Sequence, residues 1–287
     1  MDDPKRLSHT GPEAALRRMQ MSEDELIVLV EGTETDSFVV GSICGVAMEG
    51  AAVRLAVYPV VLFGPGGGKD VLVHFFDFLA SAGRLRHTLQ GKTTAAVFYL
   101  DKDVDDVLGT RRHSPHVVYT EHYDVQNYVY LHGDLEKGAA SAASLPPQVL
   151  SSELSDGRAW CRGAAERWME WVALCLFVQR RRIRYRNYAS HSPLNDPSHS
   201  PTDPAAHQAE LTRLRKASGL ADQEFAEALG RTTALVGRYY RFAKQDRIFK
   251  GKWYSRILRD DLCRMASTSP LDKDMIDNNL NYVLDER

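Results

Sequence analysis

Short, unbroken apolar runs separated by amphipathic stretches dominate the first part of the chain. Leu26-Ile27-Val28-Leu29-Val30 stops abruptly at Glu31-Gly32, which is how a buried strand running into a loop reads. A second run, Leu55-Ala56-Val57-Tyr58 with Val60-Val61-Leu62, leads into the glycine-rich Gly64-Pro65-Gly66-Gly67-Gly68-Lys69. Val71, Leu72, Phe75, Phe76 and Leu79 then recur at helical spacing and predict an amphipathic helix packed on a sheet. Ala95-Ala96-Val97-Phe98-Tyr99-Leu100 is a third buried strand, ending in Asp101-Lys102-Asp103-Val104-Asp105-Asp106. His116-Val117-Val118-Tyr119 is a shorter fourth, followed by a helix over Asp124–Leu131. A short helix around Glu13–Met19 lies in a polar lead-in. Strands alternating with helices predict β-α-β units in an α/β parallel sheet, with function in the loops at the strand carboxyl ends.

From Leu154 the pattern changes to helices rich in Leu, Trp, Arg and Ala. Trp160, Ala164, Trp168, Trp171 and Cys175 share one helical face, and Arg180-Arg181-Arg182 with Arg184 and Arg186 form a basic cluster containing Tyr185 and Tyr188. Four prolines among polar turn formers make 189–204 a loop or linker, and helices resume at Ala205 and run, with breaks, to Leu284. The expected organisation is a lead-in over 1–23, an α/β domain over 24–135 and a mainly helical domain over 150–287.

Charge sharpens this division. The whole chain is nearly neutral, with 36 Lys+Arg against 38 Asp+Glu, yet residues 1–157 carry a net −9 and Arg158 to Arg259 a net +11. Clustered cations of this kind point to a nucleic acid or an acidic partner, because releasing counterions from phosphates favours binding. Cys44, Cys161, Cys175 and Cys263 are scattered with no Cys-x-x-Cys pair, so a zinc ribbon or dithiol redox site is not expected. Met1 to Met21 lacks the apolar core of a signal peptide, and no stretch approaches the roughly 20 apolar residues of a membrane span, so the expectation is a cytoplasmic protein with no membrane partner.

The candidate chemistry lies at two strand ends, where Glu31 and Asp101-x-Asp103 emerge from apolar runs. Three carboxylates brought within about 5 Å repel unless a divalent cation neutralises them, and Mg²⁺ held by carboxylates and completed by substrate phosphates suits phosphodiester chemistry.

Val30-Glu31-Gly32-x-x-x-Asp36, then Gly66-Gly67-Gly68-Lys69, then Tyr99-Leu100-Asp101-Lys102-Asp103 resembles the Toprim fold of topoisomerases, primases, overcoming-lysogenization-defect nucleases and small RNA-maturing nucleases. With Thr120-Glu121-His122-Tyr123-Asp124-Val125-Gln126-Asn127-Tyr128 and the downstream Lys250-Gly251-Lys252-Trp253-Tyr254, the pattern resembles the AriB-type Toprim effectors of the PARIS anti-phage system. The resemblance covers about residues 24–132 and is weak beyond them. It implies Glu31 as general acid/base or metal ligand, Asp101 and Asp103 as ligands of Mg²⁺ or Mn²⁺, and Lys69 on the scissile phosphate. Asp36 would orient a water or support a helix start, and Asp105 and Asp106 are candidates for a second metal. Gln126 stands where that branch has a glutamate; an amide accepts hydrogen bonds but is no base at neutral pH, so either Glu121 or Asp124 substitutes or the position is only structural. The resemblance further implies a toxic anti-phage effector that cleaves RNA or DNA, transfer RNA in particular, when released from a partner ATPase. That ATPase must be a separate chain, since no Gly-x₄-Gly-Lys-Ser/Thr is present. A homodimer is an open alternative, as is an RNA-maturing or primase-like Toprim protein without a defence role.

Substrate grip is expected from Arg180, Arg181, Arg182, Arg238, Arg241, Lys244, Lys250 and Lys252, with Arg247 beside them. His113, His116, His122 and His132 lack zinc-ligand spacing and read as loop and surface residues. A rival, non-enzymatic reading rests on residues 211–239, which resemble a phage-repressor helix-turn-helix. There Gly230 would make the turn and Val236 would anchor a recognition helix carrying Thr232 and Arg238. Arg231 falls where that motif buries an aliphatic side chain.

Overall fold

A computed structural model of the chain describes residues 11–33, 35–62, 67–143, 150, 153–184 and 191–265. Two compact units result. One takes in the chain up to Lys102 together with Thr110–Glu121; the other takes Asp103–Gly109 and everything from His122. This differs from the expected boundary at 135, because the helix after the fourth strand packs with the helical unit.

The first unit is built on an open, mostly parallel sheet. Its strands are β1 (Leu26–Val30), β2 (Leu55–Pro59), β3 (Arg86–Leu89), β4 (Lys92–Leu100) and β5 (Val117–Tyr119). They are ordered β2-β1-β4-β3, and β5 pairs with β4 as well. β1 pairs in parallel with both β2 and β4, so Val30 and Leu100 bring their following residues to the same end of the sheet. β2 stops at Pro59, which has no N–H to donate, and Val60–Leu62 turn into a single 3₁₀ turn rather than prolonging the strand. β3 is an addition to the expected strands. It pairs antiparallel with the start of β4 across a two-residue loop, Gln90-Gly91, with φ of 52° and 83°, the positive values a type I′ hairpin turn demands.

Helices α1 (Pro12–Met21), α2 (Thr35–Ala47) and α3 (Lys69–Ser81) accompany the sheet. The alternation of β4 sends Thr94, Ala96, Phe98 and Leu100 inward, where Phe75 and Phe76 of α3 meet Phe98 edge-on at 6.0 and 5.4 Å. Ala15 and Met19 of α1 are buried in the same core, so the described part of the lead-in is a packed element of this unit.

The second unit contains α4 (Asp105–Leu108), α5 (Val125–His132), α6 (Leu135–Ala143), α7 (Gly157–Arg167), α8 (Met169–Arg181), α9 (Pro204–Ser218), α10 (Asp222–Arg241) and α11 (Gly251–Met265). α8 is its axis, with eight consecutive buried residues from Trp171 to Val178, a helix apolar on all sides because neighbours cover it all round. The predicted face of Trp160, Ala164, Trp168, Trp171 and Cys175 is buried throughout, but the helix breaks at Trp168, whose ring nitrogen donates to the Ser198 carbonyl at 3.0 Å.

The described part of the proline-rich segment, 191–203, is a loop, as expected, and a packed one rather than a free linker. Leu194, Asn195 and Ser198 are buried, Asn195 donates to the carbonyls of Arg167 and Ser200, and Ser198 N–H donates to Asp260. The helix-turn-helix expectation is corrected: α10 runs unbroken through Gly230, so no turn separates two helices there. Thr232 is buried, donating to the Ala228 carbonyl at 3.0 Å and accepting from Arg180 at 3.2 Å, and cannot read a base edge. Arg231 escapes burial by pairing with Glu227 on an exposed face. Gly64–Gly66, Tyr185, Arg186, Tyr188 and the helix expected beyond Met265 lie outside the described residues.

Among the described residues, no helix is long and apolar enough to cross a membrane.

Candidate active site

At the carboxyl end of the first unit's sheet, parallel pairing places Glu31 and Asp101 at the ends of adjacent strands. Glu31 Oε1 accepts the Asp101 backbone N–H at 2.8 Å, which fixes one carboxylate against the strand end that carries the other. Lys69, the first residue of α3, donates from Nζ to the Asp101 carbonyl at 2.5 Å and lies 5.8 Å from the Tyr119 ring centroid. It is positioned by Gly68, whose φ of 90° suits glycine and whose N–H points to the Glu31 carbonyl at 3.4 Å. A cation thus sits at the same strand end as the Glu31 carboxylate, both held on the Asp101 backbone.

The spacing Glu31-Gly32-x-x-x-Asp36 has a local explanation. Asp36, buried in the first turn of α2, accepts the Gly32 N–H at 2.7 Å. A Cβ at Gly32 would lie 2.6 Å from the same carboxylate oxygen, so glycine there and aspartate four residues later belong together. Asp36 therefore positions the loop bearing Glu31.

Lys102, between the two aspartates of the motif, is buried. It is 3% exposed, with its N–H on Thr120 Oγ1 at 2.8 Å and its ammonium on the Glu121 carbonyl. A lysine flanked by aspartates normally reads as solvated, and only the tertiary structure shows its burial. Glu121 itself is exposed.

The remaining acidic candidates belong to the second unit. Asp103 takes a left-handed backbone, φ 49°, and donates its N–H to the Tyr123 carbonyl at 2.7 Å. Aspartate tolerates this conformation better than most residues. Asp105 and Asp106 open the one-turn α4, and Asp106 lies close enough to Tyr239 to help burial raise that phenol's pKa.

Asp124 has a structural task, in line with the structural alternative for this segment. It caps α5, accepting the Asn127 N–H at 3.1 Å while Asn127 Oδ1 accepts the Asp124 N–H, and both its oxygens accept the Gly251 N–H at the start of α11, each at 3.1 Å. One buried carboxylate therefore joins the N-termini of two helices, where the helix dipoles favour negative charge. Burial nevertheless pushes its pKa up to about 7, against the opposing pull of Asn127 N–H, the Lys252 charge and Gly251 N–H. This also accounts for Lys250-Gly251-Lys252: a Cβ on Gly251 would lie 2.4 Å from Asn127 N and from Asp124 Oδ1. Gln126, two residues on, keeps its side-chain oxygen buried with no hydrogen-bond partner among the described residues.

The histidine expectation needs one correction. His122 is largely buried, its Nδ1 bonded to Asp246 and its ring edge-on to Tyr128 at 4.7 Å.

The cationic candidates separate by environment. Arg180 is tied to Thr232, and Lys250 lies over the rings of Tyr123 and Trp253 at 5.7 and 5.8 Å. Arg181, Arg182, Arg241 and Lys252 are exposed. Arg238 and Lys244, with Arg247, line a groove.

Mg²⁺ or Mn²⁺ is the metal these residues suit in kind. Among the described residues no group of three or more His, Cys, Asp or Glu side chains is arranged to hold a metal. Mg²⁺, however, ordinarily takes only one or two carboxylates and completes its shell with waters and phosphates, so hard oxygen donors such as Glu31 and Asp101 fit it without a protein cage. No protein-family model matches the chain, and no curated protein matches it.

Proposed function

We propose that the chain is a Mg²⁺-dependent Toprim-type nuclease, a toxic effector of anti-phage defence that cleaves RNA, transfer RNA in particular, when a separately encoded ATPase releases it. The observation that supports this reading best is the junction at the ends of β1 and β4. There Glu31 is held on the Asp101 N–H and Lys69 on the Asp101 carbonyl, two acids and one base at the end of a parallel sheet. The family pattern of strand-end glutamate and Asp-x-Asp strand adds to it; Asp103 enters from the sequence alone.

In this reading Glu31 and Asp101 hold the metal. When bound, Mg²⁺ supplies positive charge to the phosphodiester and lowers the cost of deprotonating water. Glu31 manages the proton of the attacking water. Fixing one of its oxygens on the Asp101 N–H keeps the carboxylate in place through that transfer. Lys69, held on the Asp101 carbonyl, brings its positive charge to the sheet end, where it would serve a phosphate oxygen. The basic second unit, net +11 between Arg158 and Arg259, supplies grip on the polyanion.

The test is cleavage of a transfer RNA pool and of duplex DNA by purified protein with Mg²⁺, mapped by sequencing the ends. Glu31→Gln preserves the acceptor for Asp101 N–H but removes the charge, and is expected to lower the rate by about 10²–10⁴. Asp101→Asn is expected to do the same, and chelation to abolish cleavage. Wild-type rates in both variants would sink the mechanism; scission of DNA alone would reassign the substrate.

A further inference from the structure

The last two turns of α10 and the turn that follows carry a feature that the sheet-end chemistry leaves unused. Leu235, Arg238, Tyr239 and Phe242 follow one another at i, i+3, i+4 and i+7, and so share one face of the helix. With Lys244 and Arg247 they line a groove of about 340 Å³, within the usual range of small-ligand sites. Three of the six lining residues are cationic and two are aromatic.

The way the helix ends builds this groove. The Lys244 N–H bonds to the Tyr239 carbonyl at 2.8 Å and the Ala243 N–H to the Tyr240 carbonyl at 3.1 Å, the paired bonds of a Schellman stop. The left-handed position of that stop usually belongs to glycine, yet Ala243 fills it with φ 52°, a conformation that costs about 1 kcal/mol. An apolar residue commonly follows and packs back on the helix; here the position is Lys244, and it is exposed. Phe242 at the helix end remains 66% exposed. The chain therefore holds a bare aromatic ring and cations around one concave surface.

We propose that this groove binds an unpaired nucleotide, its base stacked on Phe242 and its phosphate held by Arg238, Lys244 and Arg247. Bases of any sequence have a π-face that stacks on an aromatic ring, and clustered cations follow the backbone beside it. An acidic peptide would use the cations but leave the ring unsatisfied. The inference deepens the nucleic-acid reading of the second unit and is independent of Glu31 and Asp101.

Binding is measured by fluorescence anisotropy on the full chain in chelator, so that no strand is cut. The probes are a labelled short single-stranded RNA, a duplex of the same sequence and unlabelled AMP. Wild type is expected to prefer the single strand. Phe242→Ala, at an exposed position, should weaken it about tenfold while Phe242→Trp retains it. Arg238→Ala and Lys244→Ala should each lower the slope of log affinity against log salt by about 0.7. Displacement by millimolar AMP would make the ligand a free nucleotide; failure of AMP to compete would make it one residue of a strand. Unchanged binding in Phe242→Ala, or no binding by wild type, overturns the proposal. Phe242-independent binding of polyglutamate through the same cations would make the surface a docking site for an acidic protein instead. Cleavage assays separate this from the catalytic reading: weakened binding in Phe242→Ala with no cleavage by any form keeps the groove and removes the nuclease, and the reverse pattern does the opposite.

Discussion

Glu31 in the sheet unit and Asp124 in the helical unit are both acidic residues that accept backbone N–H groups, and they are put to opposite uses. Glu31 is partly exposed and commits one oxygen to the N–H of Asp101, with a lysine ammonium on the neighbouring carbonyl. Asp124 is 4% exposed and uses both oxygens on the Asn127 and Gly251 N–H groups. A carboxylate whose acceptor sites are consumed by its own backbone, away from water, serves as a structural clamp. Glu31 instead lies partly exposed at a sheet end, where it is within reach of solvent. Acidity and motif membership do not separate the two; the partners do.

The largest effect should come from attacking the clamp. Gly251→Ala puts a methyl 2.4 Å from backbone and carboxylate atoms, and is expected to cost about 3 kcal/mol or more in urea unfolding. Asp124→Ala, which leaves two buried N–H donors unpaired, should cost about as much. A change below about 0.5 kcal/mol in both would remove the distinction drawn between the two carboxylates.

Next comes the loop under Glu31. Gly32→Ala forces Asp36 off the Gly32 N–H. About 1 kcal/mol of stability and roughly tenfold in cleavage should be lost, consistent with one hydrogen bond that positions a loop. Asp36→Asn keeps an acceptor and should recover most of both; if it does not, the charge of Asp36 matters and its role is more than positioning.

A smaller effect lies in the pH dependence of stability. Asp124 has its folded pKa raised from 3.8 to about 7. Between these values the folded state holds a proton that the unfolded state has lost, so this group's contribution to stability is full below about pH 4, declines as pH rises, and levels off above about pH 7. Asp124→Asn should flatten that decline in urea midpoints measured across the range. An unchanged slope would show that the amide bonds, not burial, dominate the titration of this carboxyl.

Much of the sheet unit was legible in the chain. β1 and the inward face of α3 follow from runs and periodicities, because a strand covered on both sides must be apolar and a packed helix must be striped. The turn chemistry of Gln90-Gly91 was the one available sign of β3, whose Arg86 and Thr88 carry no strand-like apolar pattern. In the helical unit, residues that looked like signals of a DNA reader proved local: Gly230 lies inside a long helix because a single glycine costs only about 1 kcal/mol there, less than the packing of α10 on α8 returns.

What the sequence by itself determined is the α/β character, the strand ends bearing Glu31 and Asp101, and the segregation of charge. All of these are carried by residue type and by periods of two and 3.6, which side-chain geometry imposes on any chain. Only the tertiary structure decided that Asp36 serves Gly32, that Asp124 and Gly251 must occur together, that Lys102 is buried, and that Arg238, Phe242 and Lys244 share one groove. Each of these depends on which backbone N–H or ring a side chain meets after folding, a property of pairs that residue types and local spacing do not encode.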